Sequence, residues 1–198
     1  ESEYYVAHLN DKRYRLEHTF RVANIGREIA LAEDFDAEAM VVACLLHDVS
    51  YGADFPMEAW ADHGRLSAKI ARPFIQTLGF DEKTENEMLY GIAIHVDDES
   101  DFDGERTPFA LTVGDADNID RFDAYRIYET LEMKKYSQMS YDEQHNWCES
   151  VLKKLTEYES LPLGTMAATA LWLERLRFQK EFYTRLKCQL ESSLAVGR

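Results

Sequence analysis

The pair His47-Asp48 follows the apolar run Val41–Leu46, and the chain holds four further residues that could bind a metal with it. A carboxylate beside an imidazole at the end of a buried helix is costly to desolvate unless a positive charge lies against it. The four other candidates are His18 upstream and His63, His95 and Asp117 downstream. Four imidazoles and two carboxylates are enough ligands for two divalent ions, so the set favours a metallohydrolase.

The ligand types narrow the choice of metal. Neutral imidazole and carboxylate suit Zn, Fe, Mn or Co, and no thiolate accompanies them to indicate a closed structural zinc site. Two ions about 3.5–4 Å apart could lower the pKa of a bridging water and bind both the attacking and the leaving oxygen of a phosphoryl transfer. Asp48 can offer both carboxylate oxygens and is the expected bridge between two divalent transition metal ions.

Each candidate also has a purely structural explanation. A single inward-facing histidine is more often a hydrogen-bonded core residue than a metal ligand. His47-Asp48 could end a helix, although an aspartate has the wrong charge for that end, which favours the metal. Asp117 lies in the acidic segment 115–120 and could belong to a solvated face, and Asp115 stays open as the ligand in its place.

Nearly every segment of the chain predicts a helix, and alternating strand patterns are almost absent. Helices are expected at about 11–33, from Asp36, at 63–78, from Asp81, from Thr107-Pro108, from Ser140 and at about 165–193. Asp36 and Asp62 are expected N-caps, Ser140 and Glu143 form a capping-box pattern, and Pro73 should kink or divide its helix. Apolar residues recur at helical spacing around His18, His47, His95 and Asp117, so these ligands should face the core.

Composition bounds the function further. The chain has 198 residues with 45% hydrophobic and 30% charged residues, which suits one domain with an appendage. Its net charge of −15 argues against nucleic-acid binding and against docking on an anionic membrane. Neither a signal peptide nor an apolar run of about 18 residues occurs, so the expected location is the cytoplasm.

The ordered ligands resemble the HD superfamily of metal-dependent phosphohydrolases over roughly residues 10 to 130. The matching segments are His18 in Glu-His-Thr-Phe-Arg-Val, His47-Asp48 in Leu-Leu-His-Asp-Val and Asp117 in Asp-Ala-Asp-Asn-Ile. His63 and His95 match the two extra histidines of its dinuclear members. The step of 22 residues from His95 to Asp117 (117 − 95) is similar to that of the bacterial diadenosine-tetraphosphatase branch.

The resemblance implies an all-α, HD-domain helical bundle at residues 1–135 and a helical C-terminal extension at 136–198 packed on it. One metal would be held by His18, His47, Asp48 and Asp117, and the second by Asp48, His63 and His95. A metal-bound hydroxide would attack the phosphorus of a small phosphorylated substrate, and a nucleotide is the expected substrate. Arg15, Arg65 and Arg121 are candidates to bind phosphate oxygens, although an arginine in such a position is more often a surface ion-pair residue.

Two other functions stay open. The dinuclear set also resembles HD-type mixed-valent di-iron oxygenases, although the short step from His95 to Asp117 weighs against them. A noncatalytic regulatory or binding module would be expected to lack several ligands, whereas this set is complete. The long C-terminal helix could cover the bundle or form a homodimer with a second copy.

Overall fold

Eight α-helices make up most of the computed structural model, which describes residues 9–52 and 62–194. They are α1 (Leu9–Ala32), α2 (Ala37–Leu46), α3 (His63–Ile75), α4 (Glu82–Ile94), α5 (Pro108–Asp120), α6 (Ala124–Met133), α7 (Tyr141–Tyr158) and α8 (Met166–Glu191). Short 3₁₀ turns lie at Val49–Gly52 and Tyr136–Gln138. No β-strand occurs in the described residues, which confirms the all-α prediction.

Three helices begin at the residues that the sequence indicated. The Asp36 side chain accepts hydrogen bonds from the backbone N–H groups two and three residues later, and Asp81 accepts one from Thr84. Ser140 and Glu143 form the reciprocal capping box at the start of α7. Each cap satisfies backbone donors that a helix leaves without an internal partner at its first turn.

Helix α3 differs from its prediction in two details. Asp62 precedes the helix but makes no capping hydrogen bond with its side chain, which pairs with Arg65 instead. Pro73 does not divide the helix, which continues to Ile75. Pro73 is exposed and lies in the last turn, so the hydrogen bond that it removes is one of the last in the helix.

Helix α6 was not predicted. Asp123 precedes it with a φ of 96°, and its side chain accepts a hydrogen bond from Ala124. Ile127 is the buried residue of this helix. Ala124, Ile127 and Leu131 recur at helical spacing, so an apolar stripe was present in the sequence, although no helix was predicted from it.

The chain divides into two compact units. The first runs to Asp120 and includes Leu163–Thr169, and the second comprises Arg121–Pro162 and the chain from Ala170 onward. The separate assignment of residues 1–135 and 136–198 as domain and extension stays a prediction.

Helices α1 to α5 build the core of the first unit. Helix α1 packs against α2 and α5, and α4 packs against α3 and α5. The apolar faces predicted to point inward are buried, which confirms those faces; they include Val22, Ile29, Met40, Met88, Ile92, Ala110 and Val113. This packing brings together the five chain segments that carry the candidate ligands.

The second unit has an aromatic core of its own. The Phe122 ring lies edge-on to the ring of Trp172, with 4.7 Å between centroids, and Trp172 donates a hydrogen bond to the Tyr158 carbonyl. Leu176 and Tyr183 of α8 are also buried. Across residues 9–52 and 62–194, none of the helices has the length and apolar character needed to cross a bilayer.

Candidate metal centre

The six predicted ligands all lie in the first unit, on or beside its five consecutive helices. His18 lies in the third turn of α1, His47 and Asp48 directly follow α2, His63 begins α3, His95 directly follows α4, and Asp117 lies in the last turn of α5. The structure brings all six together, with Asp48 at the centre.

The Asp48 carboxylate faces a different pair of histidines with each of its oxygens. Its Oδ2 lies 3.5 Å from Nε2 of His47 and 3.8 Å from Nε2 of His18. Its Oδ1 lies 3.4 Å from Nε2 of His63 and 3.6 Å from Nε2 of His95. These residues form two clusters that could each hold an ion and that share Asp48.

Asp117 completes the cluster that contains His18 and His47. Its Oδ1 lies 3.1 Å from Nε2 of His18 and 3.9 Å from Nε2 of His47. Asp115, the alternative from the sequence, instead accepts a hydrogen bond of 2.8 Å from the Gly164 backbone. We call His18, His47, Asp48 and Asp117 the first ligand group, and Asp48, His63 and His95 the second ligand group.

The separations around Asp48 are longer than good hydrogen bonds and slightly longer than those between two ligands of one metal ion. Ligand atoms about 2.1 Å from one ion in tetrahedral or octahedral geometry lie roughly 3.0–3.4 Å from each other. The separations around Asp48 are 3.4–3.8 Å, too long for good hydrogen bonds. Nε2 of His47 and Nε2 of His95 are buried and have no hydrogen-bond partner, which is costly unless a cation accepts their lone pairs.

Backbone contacts fix which nitrogen of these two rings faces the cluster. Nδ1 of His47 lies 2.7 Å from the Cys44 carbonyl oxygen, and Nδ1 of His95 lies 2.7 Å from that of Ile92. A carbonyl can only accept, so each Nδ1 carries the proton and each Nε2 presents a lone pair to the cluster. Burial also lowers the pKa of His47, which keeps its ring neutral and able to bind a metal.

His18 is held by a second carboxylate that the sequence analysis did not single out. Its Nδ1 lies 2.7 Å from Oδ2 of Asp120, and Arg21 donates to both oxygens of Asp120 at 2.8 and 3.1 Å. Asp120 follows Asp117 by three residues, and Arg21 follows His18 by three residues. This spacing places each on the same helix face as the ligand, and it is the signal from which they could have been found.

Contacts within the cluster shift the pKa values of Asp48 and His18. Burial alone would raise the pKa of Asp48, but the imidazoles of His47, His63 and His95 hold it well below its usual value. Burial alone would lower the pKa of His18, but its contacts with Asp117 and Asp120 raise it to about 9. A proton thus occupies His18 at neutral pH, and a metal would have to displace it.

Arg15 is the predicted phosphate-binding residue that the structure brings to the cluster. Its Nη1 donates a 3.0 Å hydrogen bond to Oδ2 of Asp48, and its guanidinium lies 3.8 Å from the centroid of the Tyr51 ring. The Tyr51 ring is also 5.2 Å from that of His63. Arg15 therefore presents a forked cationic group beside both ligand groups.

The other two predicted arginines have different surroundings. Arg65 donates two 3.0 Å hydrogen bonds to Asp97 and also pairs with Asp62. Arg121 is exposed and belongs to the second compact unit, whereas the six ligands belong to the first. Arg65 is thus engaged by acidic side chains, and Arg15 contacts a candidate ligand directly.

Comparisons with known proteins agree with this architecture. The HD domain family model matches residues 15–122, which is more than half of the chain and includes all six candidate ligands. The chain therefore belongs to the HD domain family. A crystal structure of a predicted HD superfamily hydrolase from an uncultured Thermotogales bacterium is similar to it, with a TM-score of 0.59 and 23% identity over 88% of this chain and 80% of the other. No curated protein sequence matches the chain.

Proposed function

We propose that this protein is a metal-dependent phosphohydrolase with two divalent transition metal ions, drawn from Fe, Mn, Co and Zn. The observation that carries the proposal is the position of Asp48, whose two oxygens each face a separate pair of imidazole Nε2 atoms. The first ligand group would hold one ion and the second ligand group the other. Family membership supports the same function, and the similar Thermotogales protein is itself described as a predicted hydrolase.

The residues around the ions have separate roles in this proposal. Divalent ions bound there would supply Lewis acidity and lower the pKa of a coordinated water toward neutrality. Asp48 would bridge the two ligand groups and hold them at a fixed spacing. Arg15, beside Asp48 and stacked on Tyr51, would donate to oxygens of the phosphoryl group, whose charge it would stabilise during transfer.

We further propose that the substrate is a small phosphorylated compound, with a nucleotide as the first candidate. A protein with a net charge of −15 repels a polyphosphate unless cations screen the approach, and the proposed ions with Arg15 would provide that charge. The 22-residue step from His95 to Asp117 supports a relationship with the diadenosine-tetraphosphatase branch. Dinucleoside polyphosphates therefore belong in the first substrate panel.

The test is phosphate release from a nucleotide panel by protein loaded with Mn, Fe, Co or Zn. We expect turnover that EDTA abolishes, and a loss of at least about tenfold in kcat/KM in Arg15→Gln because a charge-assisted contact to phosphate is removed. Arg13→Gln is the matched control. Arg13 lies on the same helix, is largely exposed and pairs with Glu17, so its variant should retain full activity.

Two outcomes would contradict the proposal and favour a different function. Iron-dependent oxygen consumption without phosphate release would indicate the di-iron oxygenase chemistry. A chain that fails to bind any of the four metals would leave a noncatalytic binding module as the remaining interpretation.

A further inference from the structure

The two edges of the His18 ring have different partners. Nε2 faces the first ligand group and lies 3.1 Å from Oδ1 of Asp117. Nδ1 lies 2.7 Å from Oδ2 of Asp120, whose side chain is 2% exposed. Arg21 donates from Nε and Nη2 to the two oxygens of Asp120. A chain of contacts thus leads from a half-exposed arginine through a buried carboxylate to the ring of a candidate ligand.

We propose that Asp120 is a positioning residue that fixes the His18 ring for the first metal ion, and that Arg21 in turn fixes Asp120. The inference rests on the proposed metal centre and adds two residues to it. Neither Asp120 nor Arg21 would contact the ion. Their effect would be exerted through the orientation and donor strength of His18.

The place of His18 in its helix explains why it needs such a partner. His47 and His95 directly follow their helices, and each donates to a carbonyl three residues earlier, in the last turn, where carbonyls lack helical partners. His18 lies inside α1, whose carbonyls are occupied by the helix itself. An acceptor for its Nδ1 must therefore come from another element, and α5 supplies it.

Arg21 offsets the cost of burying the Asp120 carboxylate and also fixes its orientation. A carboxylate that is 2% exposed is costly without a compensating charge, and a two-pronged arginine contact satisfies both of its oxygens. The pair also joins α1 to α5, the helices that carry His18 and Asp117. It would therefore help to set the separation of these two ligands, on which the first ion depends.

The test compares Asp120→Asn with Asp115→Asn in the full chain. Both aspartates lie on α5, Asp120 buried and Asp115 half-buried, but Asp115 bonds to the Gly164 backbone rather than to a candidate ligand, so it is the control for general destabilisation. Co²⁺ binding is titrated by its visible absorption and by metal content after equilibrium dialysis. A His63→Gln background, which lacks one residue of the second ligand group, isolates the first ion.

For Asp120→Asn we expect the dissociation constant of the first ion to rise about 10- to 100-fold, with an altered Co²⁺ spectrum. In a chain that keeps His63, Asp120→Asn should leave the affinity for the second ion unchanged, and Asp115→Asn should bind both ions as wild type does. Arg21→Gln should give a smaller rise, and combining it with Asp120→Asn should add nothing, because both act through one contact chain. Arg21→Gln also serves if Asp120→Asn does not fold.

The inference is overturned if Asp120→Asn and Arg21→Gln both bind the first ion as tightly as the Asp115→Asn control. It is also overturned if the two effects simply add, since independent effects exclude a relay. A wild-type chain that binds no Co²⁺ is a different result, because it would overturn the proposed metal centre and this inference together.

Discussion

Replacing Asp48 by asparagine tests the sharing of one carboxylate between two ions. The substitution keeps the shape but replaces one oxygen with an NH₂ group and removes the charge. Arg15 donates to Oδ2 at 3.0 Å, so the amide oxygen should take that position and face His18 and His47. The NH₂ group should then take the Oδ1 position, 3.4–3.6 Å from Nε2 of His63 and His95, where it cannot bind a cation.

Asp48→Asn should therefore lose the second ion and hold the first more weakly. Wild type should bind about two ions per chain, and both Asp48→Asn and His63→Gln about one. Residues that only hydrogen-bond to a metal ligand already change metal affinity about 10- to 100-fold. Loss of the charge of Asp48, a ligand itself, should therefore raise the dissociation constant of the remaining ion at least about tenfold relative to that of His63→Gln. That is about 1.4 kcal/mol or more.

The assay is equilibrium dialysis against buffered Co²⁺ or Mn²⁺, followed by elemental analysis per folded chain. Circular dichroism of each variant controls for unfolding. The reasoning is refuted if Asp48→Asn still binds two ions at wild-type affinity, or if His63→Gln loses both ions. Either result would mean that the two oxygens of Asp48 do not each serve a separate ion.

Three further predictions follow from other parts of the chain. In the metal-free protein the pKa of His18 is raised from 6.5 to about 9, so its stabilisation is complete below pH 6.5 and is lost as the pH rises through 9. Urea unfolding in EDTA should show the free energy of unfolding fall by up to about 3 kcal/mol over this pH range, and His18→Gln should abolish this pH dependence. Gly64→Ala would place a Cβ 2.5 Å from the Ala93 carbonyl oxygen and 3.1 Å from Nδ1 of His95. It should therefore lower the free energy of unfolding by about 1–3 kcal/mol and weaken binding of the second ion. Ser140→Ala should lower the free energy of unfolding by about 1 kcal/mol without changing metal binding, since it removes only the cap of α7.

The sequence alone determined the helical class, and the types and order of its histidines and aspartates identified the six candidate ligands. Helical periodicity placed His18, His47, His95 and Asp117 on inward faces because a buried stripe repeats with the helix turn. Caps at Asp36, Asp81 and Ser140 were predictable because they depend on contacts within a few residues. Helix α6 was not predicted, although Ala124, Ile127 and Leu131 recur at helical spacing in its ten residues.

Tertiary structure alone decided which polar groups meet. Asp115 and Asp117 are alternatives in the sequence, and only the packing of α5 against α1 directs Asp117 toward His18 and leaves Asp115 bonded to Gly164. The pairing of Asp120 with His18 spans 102 residues. Distances across such a separation depend on how helices cross, which local sequence does not encode. The crossing of the helices also decides that Arg15 contacts Asp48 directly, whereas Arg65 pairs with Asp97.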